Sequence, residues 1–144
     1  MFYSTLVKAD GHDHYEIVEA LVNKEPECDN VKLLVYAPDN ANLSTTVASR
    51  AKVIPAAKIV LNDILNVMMS FDTIRASGIL DVPKDMHLII PGCDRYARYV
   101  SPELFQTILY RLVYMGVRLT VISDGGQISD LTYERELTYE EAVQ

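Results

Sequence analysis

Four aspartates in this chain each follow a short apolar run. Asp10 follows Phe2 to Val7, Asp39 follows Val31 to Ala37, Asp94 follows His87 to Ile90, and Asp124 follows Val117 to Ile122. If those runs are parallel strands of one sheet, the carboxylates share its C-terminal edge, where open α/β sheets place their ligands. Carboxylates gathered on such an edge suit Mg²⁺ or Mn²⁺, which prefer oxygen ligands and can activate water for phosphodiester cleavage. Asp is also favoured in turns and at helix N-caps, so the shared placement carries the metal argument rather than the residue type.

Three other groups have chemical potential. His12-Asp13-His14 has the one-residue gap of some metal sites, but no third ligand is close in sequence and the pair reads as a polar turn before a helix. Cys93 is a thiol whose nearest histidine in sequence is His87. A catalytic cysteine needs a base in reach, so the nucleophile reading is set aside. Arg95 and Arg98 flank Tyr96 and Tyr99 just before a helix start. Guanidinium groups, aromatic faces and a positive dipole end suit a phosphate or a base; the alternative is an ordinary surface loop.

The elements that must position these residues follow from periodicity and punctuation. Phe2 to Val7 reads as a strand, and Asp13 caps a helix in which Ile17, Val18, Leu21 and Val22 recur at helical spacing until Glu25-Pro26. Residues 31–37 form the second strand, and Val47 to Lys52 reads as a short helix. Ala56 to Ile74 has the clearest helical pattern, with Asp63 and Asp72 at opposite borders of its apolar face, so the two do not serve one site. Residues 86–91 and 117–122 are further strands. The helix between them has Ser101 as N-cap, Pro102 at its first position and Gly116 at its end. Strand, loop, helix and strand within Met86 to Ser123 make a βαβ unit. Thr138-Tyr139-Glu140-Glu141 matches a capping box and predicts a short terminal helix. Together these predict a single three-layer α/β domain over residues 1–144, Rossmann-like, with a mostly parallel sheet of four strands.

Composition bounds the partners. Hydrophobic residues make up 49% and charged residues 23% of 144, which is globular rather than disordered. The apolar runs are interrupted by polar residues and none predicts a membrane span. The N-terminal residues lack a basic region and a small-residue cleavage site, so a signal peptide is not expected. Two cysteines make no disulfide framework, and a reducing, cytoplasmic setting is the expectation. A net charge of -7 argues against broad phosphate tracking; RNA or nucleotide binding would rest on a local basic patch or a bridging metal.

The run Leu33-Leu34-Val35-Tyr36-Ala37-Pro38-Asp39-Asn40-Ala41-Asn42-Leu43 resembles the opening motif of NYN domains, of the PIN-like nuclease family, with Asp39, Asn42 and Leu43 in register. Leu88-Ile89-Ile90-Pro91-Gly92-Cys93-Asp94-Arg95-Tyr96 resembles the family's second signature at Gly92 and Tyr96. The segment from Gly116 to Val121 resembles its closing strand. The resemblance covers roughly Val31 to Ile122 and implies a PIN-like fold and a metal-dependent nuclease acting on RNA. On that reading Asp39, Asp94 and Asp124 hold Mg²⁺ or Mn²⁺, Asn42 positions Asp39, and Arg95 meets phosphate. Asp63 or Asp72 would be the family's middle acid. Two carboxylates sharing an ion are then expected to converge, Asp39 and Asp94 to within about 6–8 Å without metal. The chain departs from the pattern where Cys93 and Arg95 stand at the family's two aspartates and Asp94 at the serine between them. Those departures support the alternative of a non-catalytic protein- or nucleotide-binding module on the same fold, meeting a protein partner or a second copy of the chain.

Overall fold

The structure, a computed structural model, describes residues 2–26, 33–37, 42–55, 86–94, 101–114 and 116–144. In chain order the elements are β1 (Ser4–Lys8), α1 (His14–Lys24), β2 (Leu33–Ala37), α2 (Thr45–Arg50), β3 (Lys52–Pro55), β4 (Met86–Ile90), α3 (Pro102–Tyr114) and β5 (Val117–Ser123). A 3-10 turn (Gln127–Asp130), β6 (Arg135–Thr138) and α4 (Tyr139–Val143) follow. The strands form one sheet in the order β3-β2-β4-β5-β1-β6. Every pairing is parallel. The fold is α/β and Rossmann-like, with the parallel sheet flanked by helices.

Local chemistry explains most of these elements. Asp13 caps α1, its side chain accepting from the Tyr15 N–H at 3.0 Å. Ile17, Val18 and Val22 lie in one buried cluster with Val7, Val35, Ile89 and Ile122 of the sheet. Each such buried side chain contributes on the order of 2 kcal/mol. Ser101 accepts from the Leu104 N–H at 3.2 Å, and α3 packs along β5 with Phe105 and Leu109 buried. Gly116 ends that helix at φ 85°, a left-handed cap that suits glycine, its N–H bonded to the Val113 carbonyl. The capping box at the terminal helix is present, with Thr138 and Glu141 bonded reciprocally. Replacing Asp13 with alanine is expected to lower stability by about 1 kcal/mol, read as a fall in the urea midpoint at unchanged slope.

Two strands were not expected. β3 takes Lys52 from the end of the anticipated short helix, which closes at Arg50 instead. Its apolar content is only Val53 and Ile54, too short a run for periodicity to register. β6 pairs with β1 along Thr5 to Lys8, at the edge of the sheet, and exposes Arg135, Glu136 and Thr138. A charged edge strand discourages pairing between molecules, and the same charges hide it from a hydrophobic pattern. The anticipated helix of Ala56 to Ile74, with Asp63 and Asp72, lies outside the described residues.

The strand order reverses at two places. From β2 the chain moves outward to β3, while from β4 it moves to β5 on the other side. From β5 it moves to β6 beyond β1, while from β1 it returns towards β2. Crevices at the C-terminal edge of such switch points are where α/β sheets bind ligands.

Candidate functional site

At the β5/β1 switch point, three loops converge on the C-terminal edge of β4, β5 and β1. The turn after β4 passes through Gly92 at φ 63° and brings Asp94 beside the end of β5. Asp94 Oδ1 accepts from the hydroxyl of buried Ser123 at 2.6 Å, and Oδ2 accepts from the Asp124 N–H at 2.8 Å. Asp124 Oδ1 in turn accepts from the Gly11 N–H at 2.9 Å, and Oδ2 accepts from His14 Nε2 at 2.8 Å. The ring closes where the Gly92 N–H donates to His14 Nδ1 at 2.8 Å.

That closure fixes the imidazole's chemistry. A backbone N–H can only donate, so His14 Nδ1 is the acceptor, and the ring's proton is assigned to Nε2, where it faces the Asp124 carboxylate. Partial burial pushes the Asp124 carboxyl up, but the Gly11 N–H and His14 outweigh it and hold the group below its usual range. Asp124 is therefore ionised at neutral pH, and its side chain is half exposed.

Asp94 and Asp124 come together; the other expected residues do not join them among the described residues. Asp10 is an exposed turn residue at φ 51°, and Asn42 is exposed ahead of α2. Asp39 and Arg95 lie outside the described residues, so the expected approach of Asp39 to Asp94 does too. His12 and His14 go to different partners: the His12 ring stacks on Tyr139 at 3.6 Å between centroids. Cys93 is a core residue, and burial followed by the Asp94 charge pushes its thiol well above the usual range. Sequence reasoning missed Ser123 and the joining role of His14. No local signal reports them, because the contacts exist only once β1 lies beside β5.

Compared with known protein families, curated proteins and solved structures, the chain matches none. The site must therefore be read from its own chemistry. Two aspartates offer hard oxygen donors, and each oxygen engaged by one hydrogen bond keeps a second lone pair. Mg²⁺ is commonly held by one or two carboxylates with substrate phosphates completing its shell, and oxygen donors of this kind are the type that Mg²⁺ and Mn²⁺ prefer. Among the described residues no three His, Cys, Asp or Glu side chains form a metal-holding group. No helix among the described residues is long and apolar enough to cross a membrane.

A second polar cluster lies at the opposite end of the sheet. His87, 7% exposed on β4, is hydrogen-bonded through Nδ1 to Glu25 Oε1 at 2.6 Å and through Nε2 to the Thr120 hydroxyl at 2.7 Å. Arg118 reaches Glu25 Oε2 at 3.4 Å. The hydrogen bond from His87 outweighs the opposing effect of burial, and the charges of His87 and Arg118 add to it. Together they hold the Glu25 carboxyl down at about 2.

Proposed function

We propose that this chain is a PIN/NYN-like nuclease that cleaves RNA with Mg²⁺ or Mn²⁺, on a three-layer domain spanning residues 1–144. The observation that supports it is the joining of Asp94 and Asp124 across neighbouring parallel strands, at a switch point of the sheet. Asp94 and Asp124 hold the ion together with Asp39, which follows β2 in sequence; Asn42 positions Asp39, and Arg95 meets the scissile phosphate. The bound ion supplies Lewis acidity at the phosphodiester. His14 orients the Asp124 carboxylate through Nε2 and is itself oriented by Gly92, the arrangement expected of an outer-shell residue. Titration of the chain with each ion, followed by NMR of the aspartate carboxyl carbons, is expected to move Asp39, Asp94 and Asp124 together, with Mn²⁺ broadening the same signals. If neither ion perturbs Asp39 or Asp94 at millimolar concentration, the nuclease reading fails.

One observation favours a second reading, a non-catalytic module that binds a protein, a nucleotide or its own copy. All four carboxylate oxygens of Asp94 and Asp124 already accept hydrogen bonds from the chain, as they would in a purely structural clasp. RNA cleavage by the pure protein that disappears in Asp39→Asn excludes this reading.

A further inference from the structure

At the end of the sheet opposite Asp94 and Asp124, a cavity of about 410 Å³ opens between the C-terminal end of α1 and residues of β1, β4, β5 and β6. Voids of that volume fall within the range of small-molecule sites, which are concave, partly apolar and fitted with a few placed polar groups. Thr5, His87 and Thr120 give this one a polar side, and Leu21, Leu137 and Phe2 an apolar one.

Its charges are unevenly satisfied. Two carboxylates line it, and both are engaged: Glu25 with His87 and Arg118, and Glu141 with the Thr138 N–H at 3.1 Å. Lys24 and Arg135 also line it, and among the described residues neither meets a carboxylate. Lys24 Nζ donates to the backbone carbonyls of Glu141 and Ala142. Arg135 donates from Nε and Nη2 to the Thr5 hydroxyl at 3.3 and 3.2 Å, and its guanidinium lies 4.8 Å over the Phe2 ring. Neutral partners orient a cation without cancelling its charge. Among the described residues Glu141 likewise meets only a backbone N–H, so Lys24 and Arg135 together leave one net positive charge facing a partly apolar cavity, in a chain whose net charge is -7.

We propose that this cavity binds a small organic anion, its charged group met by Arg135 and Lys24 and its apolar body lying against Leu21, Leu137 and Phe2. Arg135 is held ready by Thr5 and Phe2, so little side-chain entropy is lost on binding. The His87–Glu25–Thr120 network fixes the adjoining wall and holds Thr120 and His87 in place. The site uses none of the residues of the proposed nuclease centre and stands or falls separately from it.

The test is calorimetric titration of the full chain with naphthyl phosphate, with naphthoate and with the uncharged naphthalenemethanol. At least one anion is expected to bind one per chain with a Kd of about 1 mM or tighter, and at least about tenfold more tightly than the neutral analogue. The stronger anion identifies the charged group as phosphate or carboxylate. Arg135→Gln and Lys24→Met are each expected to weaken it about tenfold, with NMR shifts confined to Thr5, His87 and their neighbours. Thermal unfolding of both variants is followed alongside, and if Arg135→Gln does not fold, Lys24→Met decides. Failure of both anions to bind, unchanged affinity in the folded variants, or shifts elsewhere overturns the proposal.

Discussion

On the proposed nuclease reading, Asp94→Ala is expected to abolish metal-dependent RNA cleavage, by about 100-fold or more, and to cost about 2 kcal/mol of stability. The activity figure follows from the role given to Asp94: loss of an outer-shell partner alone costs about 10–100-fold, and a direct ligand contributes at least as much. The stability figure follows from the two hydrogen bonds its carboxylate accepts, from Ser123 and from the Asp124 N–H. Ser123 is 1% exposed, so its hydroxyl cannot turn to water and must fall back on the Gly125 carbonyl at 3.0 Å. Asp94→Asn separates the two effects. An amide keeps one acceptor for Ser123 but loses the charge, so about 1 kcal/mol is lost while cleavage still disappears. Urea midpoints and cleavage rates on both variants decide it. Cleavage that survives in folded Asp94→Asn removes Asp94 from the metal centre.

Glu25→Ala is expected to destabilise the fold by about 3 kcal/mol, the largest effect of any single substitution described here on stability. Removing one member of a part-buried, hydrogen-bonded charge cluster leaves the others partly desolvated and short of one partner. Here the His87 Nδ1–H, inside the sheet, loses its acceptor, and Arg118 loses its contact with the Glu25 carboxylate. The wild-type protein should show the matching pH dependence. The carboxyl sits at about 2 in the fold against an ordinary 4.5, so its contribution is complete above about pH 4.5 and is lost as pH falls towards 2. Since the cluster is only part-buried, the loss over that window is of order 1–2 kcal/mol. Glu25→Gln should be less stable at neutral pH and flatter below pH 4.5. Parallel acid-denaturation curves for the two proteins would show that Glu25 is not the titrating group.

What the sequence revealed and what it hid divide along physical lines. Capping, helix ends and the core faces of α1 and α3 are local, set by neighbours three or four residues away, and Asp13, Ser101, Gly116 and the Thr138–Glu141 box were all legible. The placement of Asp94 and Asp124 on one sheet edge was legible too, because in a parallel sheet every strand's exit lies on the same side. The order of strands was not. Nothing in residues 2–8 announces that β1 lies between β5 and β6, so neither the His14–Asp124 contact nor the Arg135–Thr5 contact could be foreseen. β3 and β6 escaped because a short or charged strand takes its identity from its neighbour's backbone rather than from its own side chains.

The position of β1 also bears on how the chain comes to be folded. Its register pairs Ser4 with Leu119 on one side and Thr5 with Arg135 on the other. A ribosome releasing this chain therefore presents β1 well before either strand that pairs with it. Until residues 117–138 have emerged, the buried segment Thr5-Leu6-Val7 has neither partner, and closing so long a loop makes its docking a late, slow step. A chain interrupted before β5 would leave that segment exposed as an open, apolar template for aggregation.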